Sequence, residues 1–234
     1  IDDLEIVATA PAIDGPGQVL GQAGPDQLRQ GGGNLPFLGV MEFDSADVSI
    51  MELDGTLFDV ILHEMGHVLG IGTLWSSNGL VVGEGSADPR YIGPNAVREF
   101  RTLSGNATAV DIPVENTGGP GTADGHWRES VFGSELMTGR AEPPGVASPI
   151  SRMTTGALED LGYLVNYASS DSYTIPAAVR NRAVFGLAVG NLPLMASMTS
   201  RLPSGLFASL VHGGAPESAG PPARQRAFAR LLPS

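Results

Sequence analysis

The chain has 234 residues, no cysteine and a formal net charge of −12 at neutral pH. The absence of cysteine excludes disulfide frameworks, cysteine–zinc sites and thiol catalysis. The acidic balance argues against nucleic-acid binding through a basic face, and no apolar run reaches the roughly 18 residues that a membrane-spanning helix needs. We therefore expect a protein with a packed core, no transmembrane segment and no nucleic-acid partner.

The distribution of charge divides the chain near residue 175. Residues 1–174 carry a net charge of −17, whereas residues 175–234 carry +5 and are rich in alanine, proline and arginine. A charge break of this kind is typical of a domain boundary. We expect residues 1–174 to form the main domain, and residues 175–234 to be an extension of unassigned fold that takes no part in the functional site.

The first predicted elements are strands. Apolar runs predict strands at Leu4–Ala10, Val19–Ala23 and Phe37–Phe43. Three consecutive glycines at 31–33 indicate a flexible loop between the second and the third strand. The polar stretch from Asp44 to Asp54 is expected to be a connection that leads into a helix.

The strongest predicted helix runs from about Thr56 to Leu69. Its apolar residues recur at helical spacing: Leu57, Ile61, Met65 and Val68. Asp54 is the expected N-cap. Gly70 and Gly72 oppose helical structure, so we expect the helix to end there with a left-handed residue.

Two further helices are predicted, at Pro94–Leu103 and Arg152–Leu161. A glycine follows each of them, which favours the left-handed conformation that ends many helices. Residues 76–93 and 115–125 are expected to be mostly loop, and Tyr163–Tyr167 to be extended. Strands followed by helices and long loops predict an α+β fold with a loop-rich C-terminal part.

The segment His63-Glu64-Met65-Gly66-His67 lies within the strongest helix and carries the chemistry. Residues four apart on a helix leave the same face, so both imidazoles can bind one zinc ion. Glu64 lies beside them, where it can act as a base on a zinc-bound water. A chance match on a core helix is the alternative, but the amphipathic setting favours a metal site.

Two histidines leave a catalytic zinc one protein ligand short. The remaining histidines are His126 and His212, and Glu99 on the predicted third helix is a carboxylate alternative. Gly70 favours a sharp turn rather than a continued helix, which argues against the glutamate. His212 lies beside two glycines in the C-terminal extension and is expected to be a solvated residue.

The segment His63–Gly72 resembles the start of the metzincin signature HExxHxxGxxH, but Thr73 stands where the compact signature has its third histidine. This departure is similar to the leishmanolysin-like peptidases, in which a long insertion precedes that histidine. His126 and Met137 then resemble the family's third ligand and its Met-turn, and residues 148–167 resemble its C-terminal helix and strand. The absence of cysteine favours a bacterial-type relative over the disulfide-rich eukaryotic members.

The resemblance implies a metzincin-like zincin fold, with a twisted sheet that supports the active-site helix. The upper part would take in about residues 1–72 and the loop-rich lower part residues 73–174. Metzincins usually have a strand and a long helix before the strand at Leu4–Ala10. The chain has no room for these elements, so we expect them to be missing.

The resemblance also implies a zinc-dependent endopeptidase that hydrolyses proteins or peptides, secreted or at the cell surface. His63, His67 and His126 would hold the zinc ion, and Glu64 would act as general base on the zinc-bound water. Met137 would lie as a soft floor beneath the histidines, while Gly70 would let the chain turn beneath the metal.

Two expectations concern the substrate. The resemblance implies a peptide extended along an edge strand and antiparallel to it, for which Val40–Phe43 is our candidate. Thr138 and Gly139 are expected to border the pocket for the residue after the scissile bond, where the resemblance implies an apolar preference.

Two other functions stay open. The chain could be a non-catalytic, adhesin-like module with a structural zinc, although a structural site needs no base such as Glu64. It could also be a zinc hydrolase that uses Glu99 as its third ligand. Calcium binding is unsupported, because no EF-hand pattern occurs and turns or helix caps better explain the aspartates considered: Asp44, Asp47, Asp54, Asp88 and Asp124.

Overall fold

A computed structural model describes residues 3–30 and 34–176 of the chain. Two three-stranded sheets and five α-helices within these residues form an α+β fold. The glycines at 31–33, His212 and nearly all of the C-terminal extension lie outside the described residues. No helix in the described part of the chain is long and apolar enough to cross a membrane.

The first sheet contains strands β1 (Glu5–Thr9), β2 (Gly21–Leu28) and β3 (Pro36–Phe43). All three predicted strands are confirmed, but β2 runs well past its predicted end at Ala23. The strand continues through Pro25, because a proline is tolerated in a strand at the edge of a sheet.

The order of the strands is β1-β3-β2, so β3 lies in the centre. Val40 of β3 pairs with Val7 of the parallel strand β1 and with Gly24 of the antiparallel strand β2. Because Val40–Glu42 have partners in both neighbouring strands, the expectation that Val40–Phe43 is a substrate-binding edge is wrong. Of the two edge strands, β2 makes the closer contact with the helix that carries His63 and His67.

Helix α1 (Val48–Asp54) lies in the stretch that was expected to be a connection, and Gly55 ends it with a φ of +83°. Helix α2 (Leu57–Val68) confirms the strongest prediction. Its N-cap residue is Thr56 rather than Asp54. Asp54 instead accepts hydrogen bonds from the backbone N–H and the hydroxyl of Thr56, at 3.0 and 2.7 Å, so it stabilises the turn before the helix.

Helix α2 ends where the glycines predicted. Gly70 has a φ of +109°, which an L-side chain rarely adopts. The hydroxyl of Thr73 donates to the His67 carbonyl at 2.7 Å, and the hydroxyl of Tyr163 donates to the Leu69 carbonyl at 3.0 Å. These side chains add hydrogen bonds to carbonyls of the last turn, where a helix runs out of backbone partners.

The second half of the domain is built on two packed helices, α3 (Pro94–Ser104) and α5 (Arg152–Leu161), both as predicted. Gly156 lets the helices approach closely, since a Cβ there would lie 2.8 Å from the backbone of Ala96. Asp160 accepts the N–H groups of Asn95 and Ala96, at 2.8 and 3.0 Å, and so caps α3.

Short elements connect these helices. They are strands β4 (Val81–Val82), β5 (Arg90–Tyr91) and β6 (Ile112–Pro113) of the second sheet, and helix α4 (Glu129–Phe132). The expected strand at Tyr163–Tyr167 is absent from the described residues, where a 3₁₀ turn at Tyr167–Ser169 follows an irregular segment.

The larger core cluster lies between α2 and the second half of the domain, and large aromatic side chains fill its centre. The ring of Trp127 lies 4.6 Å from that of Trp75 and 5.2 Å from that of Tyr91, measured between centroids. Burial of such rings contributes much of the stability of a small domain. Because His126 directly precedes Trp127, this packing also anchors His126 next to α2.

Candidate metal centre

The structure brings together three of the histidines that the sequence singled out. His63 and His67 lie one turn apart on α2, and His126 comes from the loop after β6. Their Nε2 atoms lie 2.9 Å apart for His63 and His67, 3.0 Å for His67 and His126, and 3.2 Å for His63 and His126. All three side chains are at most 3% exposed. They form a group that could hold a metal ion.

The other ring nitrogen of each histidine lies against a backbone carbonyl oxygen. The Nδ1 contacts are His63 with Leu136 at 2.7 Å, His67 with Ile71 at 2.8 Å and His126 with Thr122 at 2.8 Å. A carbonyl oxygen can only accept a hydrogen bond, so each Nδ1 must carry the proton. Each Nε2 of a neutral imidazole then has a lone pair, directed at the other two.

At neutral pH none of the three histidines carries a second proton. Burial, reinforced by a neighbouring histidine, lowers the pKa of His67 and of His126 to about 3. The same causes hold the pKa of His63 well below its usual range. Three neutral imidazoles therefore present three lone pairs with no proton between them. Three such nitrogen ligands suit a cation such as zinc.

Glu64 is fully buried beside the histidines. Neither of its carboxylate oxygens has a hydrogen-bond partner among the described residues, and burial raises the pKa of this carboxyl well above its ordinary value. The carboxylate faces Gly21 of β2, where a Cβ would lie only 2.9 Å from Oε1. A buried carboxylate without a partner is costly, so it is a candidate for a functional role.

Met137, the predicted floor beneath the histidines, packs against helix α2. It is fully buried, and its sulfur packs so closely on α2 that a Cβ at Gly66 would lie 2.6 Å from it. Gly66 stands between the two helical histidines in the sequence. Sequence reasoning did not single out this glycine, because its role depends on a residue 71 positions later.

A backbone contact delivers His126 to the site. Gly72 has a φ of +75°, and a Cβ there would lie 2.0 Å from the carbonyl oxygen of Gly125. Only a glycine fits this approach. Sequence reasoning expected Gly72 to end the helix and missed its contact with the residue before His126.

Glu99 does not reach the histidines. Its carboxylate forms ion pairs with Arg98 at 3.0 Å and with Arg152 at 2.7 Å. The face of α3 that carries Glu99 packs toward α5 rather than toward α2. The alternative in which Glu99 is the third zinc ligand is therefore wrong for this structure.

A cavity lies beside His63, between the start of α2 and the segment after Met137. Thr56, Asp59 and Val60 line one side, and Arg140 and Ala141 line the other. Thr138 and Gly139, which were expected to border a substrate pocket, are not among its lining residues. The hydroxyl of Thr138 turns inward instead, where the carbonyl oxygens of Gly133 and Glu135, at 3.1 and 3.0 Å, are alternative acceptors for its proton.

The aspartates considered for calcium occupy turns and ion pairs. Asp44 accepts N–H groups of Asp14, Gly15 and Ala46 at 2.8–2.9 Å, and Asp47 accepts that of Gly17 at 2.9 Å. In the second half, Asp88 pairs with Arg90 and Arg128 at 2.7 and 2.8 Å, and Asp124 accepts the N–H of Gly85 at 3.0 Å. The bonds of Asp44, Asp47 and Asp124 to backbone N–H groups fit the turn-stabilising roles that the sequence favoured, whereas the ion pairs of Asp88 were not expected.

Comparison with known proteins identifies the family. The family model described as leishmanolysin, a peptidase family, matches residues 6–177. A leishmanolysin homologue of Crithidia fasciculata is 30% identical over 145 residues, which are 58% of this chain and 21% of the relative. Leishmanolysin of Leishmania major is 27% identical over 169 residues, which are 69% of this chain and 26% of the relative.

The matches span about a quarter or less of the relatives' own lengths. On the side of this chain, however, the family match takes in the sheet, helix α2, the three histidines and helix α5. Because it covers well over half of the residues, the chain belongs to the leishmanolysin family of metallopeptidases.

Proposed function

We propose that the chain is a zinc-dependent endopeptidase with a metzincin-like fold. His63, His67 and His126 bind the metal, and Glu64 is the general base. The observation that carries the proposal is the convergence of three unprotonated Nε2 atoms within 3.2 Å of one another, beside a buried carboxylate that has no partner among the described residues. Membership in a metallopeptidase family supports this reading of the site.

A zinc ion bound by the three histidines would polarise the scissile carbonyl and lower the pKa of a water molecule toward about 7. Glu64 would accept a proton from the attacking water and then donate it to the leaving amine. The Glu64 carboxylate would be ionised more readily beside a bound cation, in the form that can accept the proton. The Nδ1 hydrogen bonds fix the ring orientations and the lone pairs of the ligands.

We propose that the substrate pairs with the open edge of β2. Among the described residues this strand is hydrogen-bonded to β3 on one side only, and its Gly21 faces the Glu64 carboxylate. An extended peptide added to such an edge gains main-chain hydrogen bonds. Its scissile bond would then lie within reach of the base.

The organisation of the chain and its location also belong to the proposal. We assign the catalytic domain to residues 1–174, with an upper part to about residue 72, and a secreted or cell-surface location. Residues 175–234 supply no zinc ligand in this scheme. Because the chain spans about a quarter or less of its curated relatives, its substrates are part of the proposal and not of the family assignment.

Metal analysis and a peptide-cleavage assay on wild type and Glu64→Ala test the function. We expect one zinc per chain in both proteins and a loss of cleavage in the variant of about 10²–10⁴-fold, the usual contribution of a positioned proton-transfer group. Glu84→Ala is the control, because Glu84 is exposed and bonded to Ser76 away from the histidines.

Three outcomes would contradict parts of the proposal. Wild type without zinc would remove the metal site. A Glu64→Ala variant that keeps more than about a tenth of the activity would remove the general-base role, given the size of that contribution. A wild-type protein that binds zinc but cleaves no member of a mixed peptide library would favour a structural zinc module instead.

A further inference from the structure

Glu135 is a buried carboxylate that the proposed mechanism does not use. It is 1% exposed, and no ion pair reaches it within the described part of the chain. Four hydrogen-bond donors surround it instead: the N–H of Met137 at 2.7 Å, the N–H of Ser151 at 3.0 Å, the hydroxyl of Ser151 at 2.6 Å and the hydroxyl of Thr154. Such a set of donors compensates a buried charge without a cation.

One carboxylate oxygen of Glu135 closes the turn whose backbone holds the ring of His63. Oε2 accepts the Met137 N–H and so fixes the backbone across Leu136. The Leu136 carbonyl accepts the Nδ1–H of His63 at 2.7 Å. Because this bond sets the ring orientation of His63, the turn determines where the Nε2 lone pair of His63 points.

The other oxygen connects the carboxylate to the segment that contains His126. Oε1 accepts the hydroxyl of Thr154, and Thr154 in turn accepts the indole N–H of Trp127 at 2.8 Å. The backbone N–H of Trp127 donates to the Met137 carbonyl at 3.0 Å. Trp127 directly follows His126, so this chain of bonds holds the His126 segment against the same turn.

We infer that Glu135 is a positioning residue for the metal centre. Its hydrogen bonds connect the metal centre to the start of α5. It acts on His63 through the Leu136 carbonyl and on His126 through Trp127. The inference rests on the proposed function, since it concerns how the chain presents ligands to a metal ion.

The hydrogen-bond pattern explains why a carboxylate is needed rather than an amide. All four groups around Glu135 donate, and Oε1 receives three of them. A glutamine that kept its oxygen at the Oε1 position would turn its NH₂ group toward the N–H of Met137, where two donors cannot bond. Glu135→Gln should therefore break the bond that closes the turn, while the contacts with α5 remain.

The test is zinc affinity, measured by competition with a chelator on folded full-length protein. We expect Glu135→Gln to raise the zinc dissociation constant about 10–100-fold, the usual effect of losing an outer-shell partner of a metal ligand. The matched control is Asp160→Asn, which alters a carboxylate that bonds Asn95, Ala96 and Tyr91; no chain of hydrogen bonds among the described residues joins it to the histidines. The control should lower the melting temperature but leave the zinc dissociation constant within a few-fold of wild type.

A spectroscopic readout separates positioning from general destabilisation. In the cobalt-substituted protein, Glu135→Gln should change the visible ligand-field bands, which report ligand geometry, whereas Asp160→Asn should not. If Glu135→Gln does not fold, Thr154→Val takes its place, because it breaks the link from Trp127 and keeps the Met137 bond. We then expect a severalfold increase in the zinc dissociation constant.

Unchanged zinc affinity and unchanged cobalt bands in the folded variant would overturn the inference. Equal losses of affinity in Glu135→Gln and Asp160→Asn would also overturn it, because they would indicate a stability effect only. A wild-type protein that binds no zinc would instead contradict the proposed function, so the two failures can be told apart.

Discussion

Gly72→Ala tests how the chain delivers its third histidine. A Cβ at residue 72 would lie 2.0 Å from the carbonyl oxygen of Gly125, whereas ordinary contacts between such atoms begin near 3.4 Å. The two segments must therefore separate by about 1 Å or more. Because Gly125 directly precedes His126, the ligand moves with it, and zinc–ligand distances tolerate only about 0.2 Å. We expect the variant to lose bound zinc and about 10²-fold or more in peptidase activity.

A matched control separates two contributions to the loss of stability in Gly72→Ala, namely backbone strain and steric overlap. Gly79 has a φ of +65°, close to the +75° of Gly72, but a Cβ there would meet nothing within 4 Å. Gly79→Ala should cost only the strain of a left-handed residue, about 1 kcal/mol. Gly72→Ala adds an overlap with a rigid backbone, so its free energy of unfolding should fall by a further ~1–3 kcal/mol.

Urea denaturation and elemental analysis of zinc provide the assay. Gly125→Ala is a second control, because its Cβ would point into open space although its backbone makes the contact. We expect this variant to keep its zinc. The reasoning is refuted if Gly72→Ala matches Gly79→Ala both in its free energy of unfolding and in its zinc content.

Three further predictions concern charge and metal. Burial raises the pKa of Glu129 to about 7 from an ordinary 4.5, so the native carboxyl binds its proton more tightly than the unfolded one. Wild type should lose stability as the pH rises through this interval, and Glu129→Gln should raise the melting temperature at pH 8 but not at pH 4; an equal change at both pH values would contradict this. Glu99→Gln should keep its zinc but cost about 1–3 kcal/mol of stability, because it weakens charged hydrogen bonds from Arg98 and Arg152 to a carboxylate that is only 8% exposed; loss of zinc would restore the glutamate as a ligand. Removal of zinc by a chelator should lower the melting temperature, with a stabilisation of about 2.7 kcal/mol at a free zinc concentration of 100 times the dissociation constant; an unchanged melting temperature would count against the metal site.

The helices of the second half were the most predictable part of the fold. The bounds of α5 follow from Ser151, which caps its start, and Gly162, which ends it with a φ of +107°. Helix α1 was missed because it is short and buries only Met51, so no periodic pattern shows in the sequence. The expected edge at Val40–Phe43 failed for another reason: local sequence predicts a strand but not the order in which strands pair.

Residues of the site that local spacing fixes could be predicted from the sequence, whereas residues that act through tertiary contacts could not. His63 and His67 are fixed by helical spacing alone, so the sequence identified them without help. His126 lies 59 residues after His67, and only the family resemblance pointed to it. The contributions of Gly72 and Glu135 depend wholly on tertiary contacts, with Gly125 in one case and with Ser151 and Thr154 in the other, and no local pattern marks either residue.

Anomalous X-ray diffraction at the zinc absorption edge, from crystals of the zinc-loaded protein, would show directly whether the three histidines bind zinc. We expect one strong anomalous peak at about 2.0–2.1 Å from the Nε2 atoms of His63, His67 and His126. A peak bound to Glu99 or His212, or no peak at the three histidines, would contradict it.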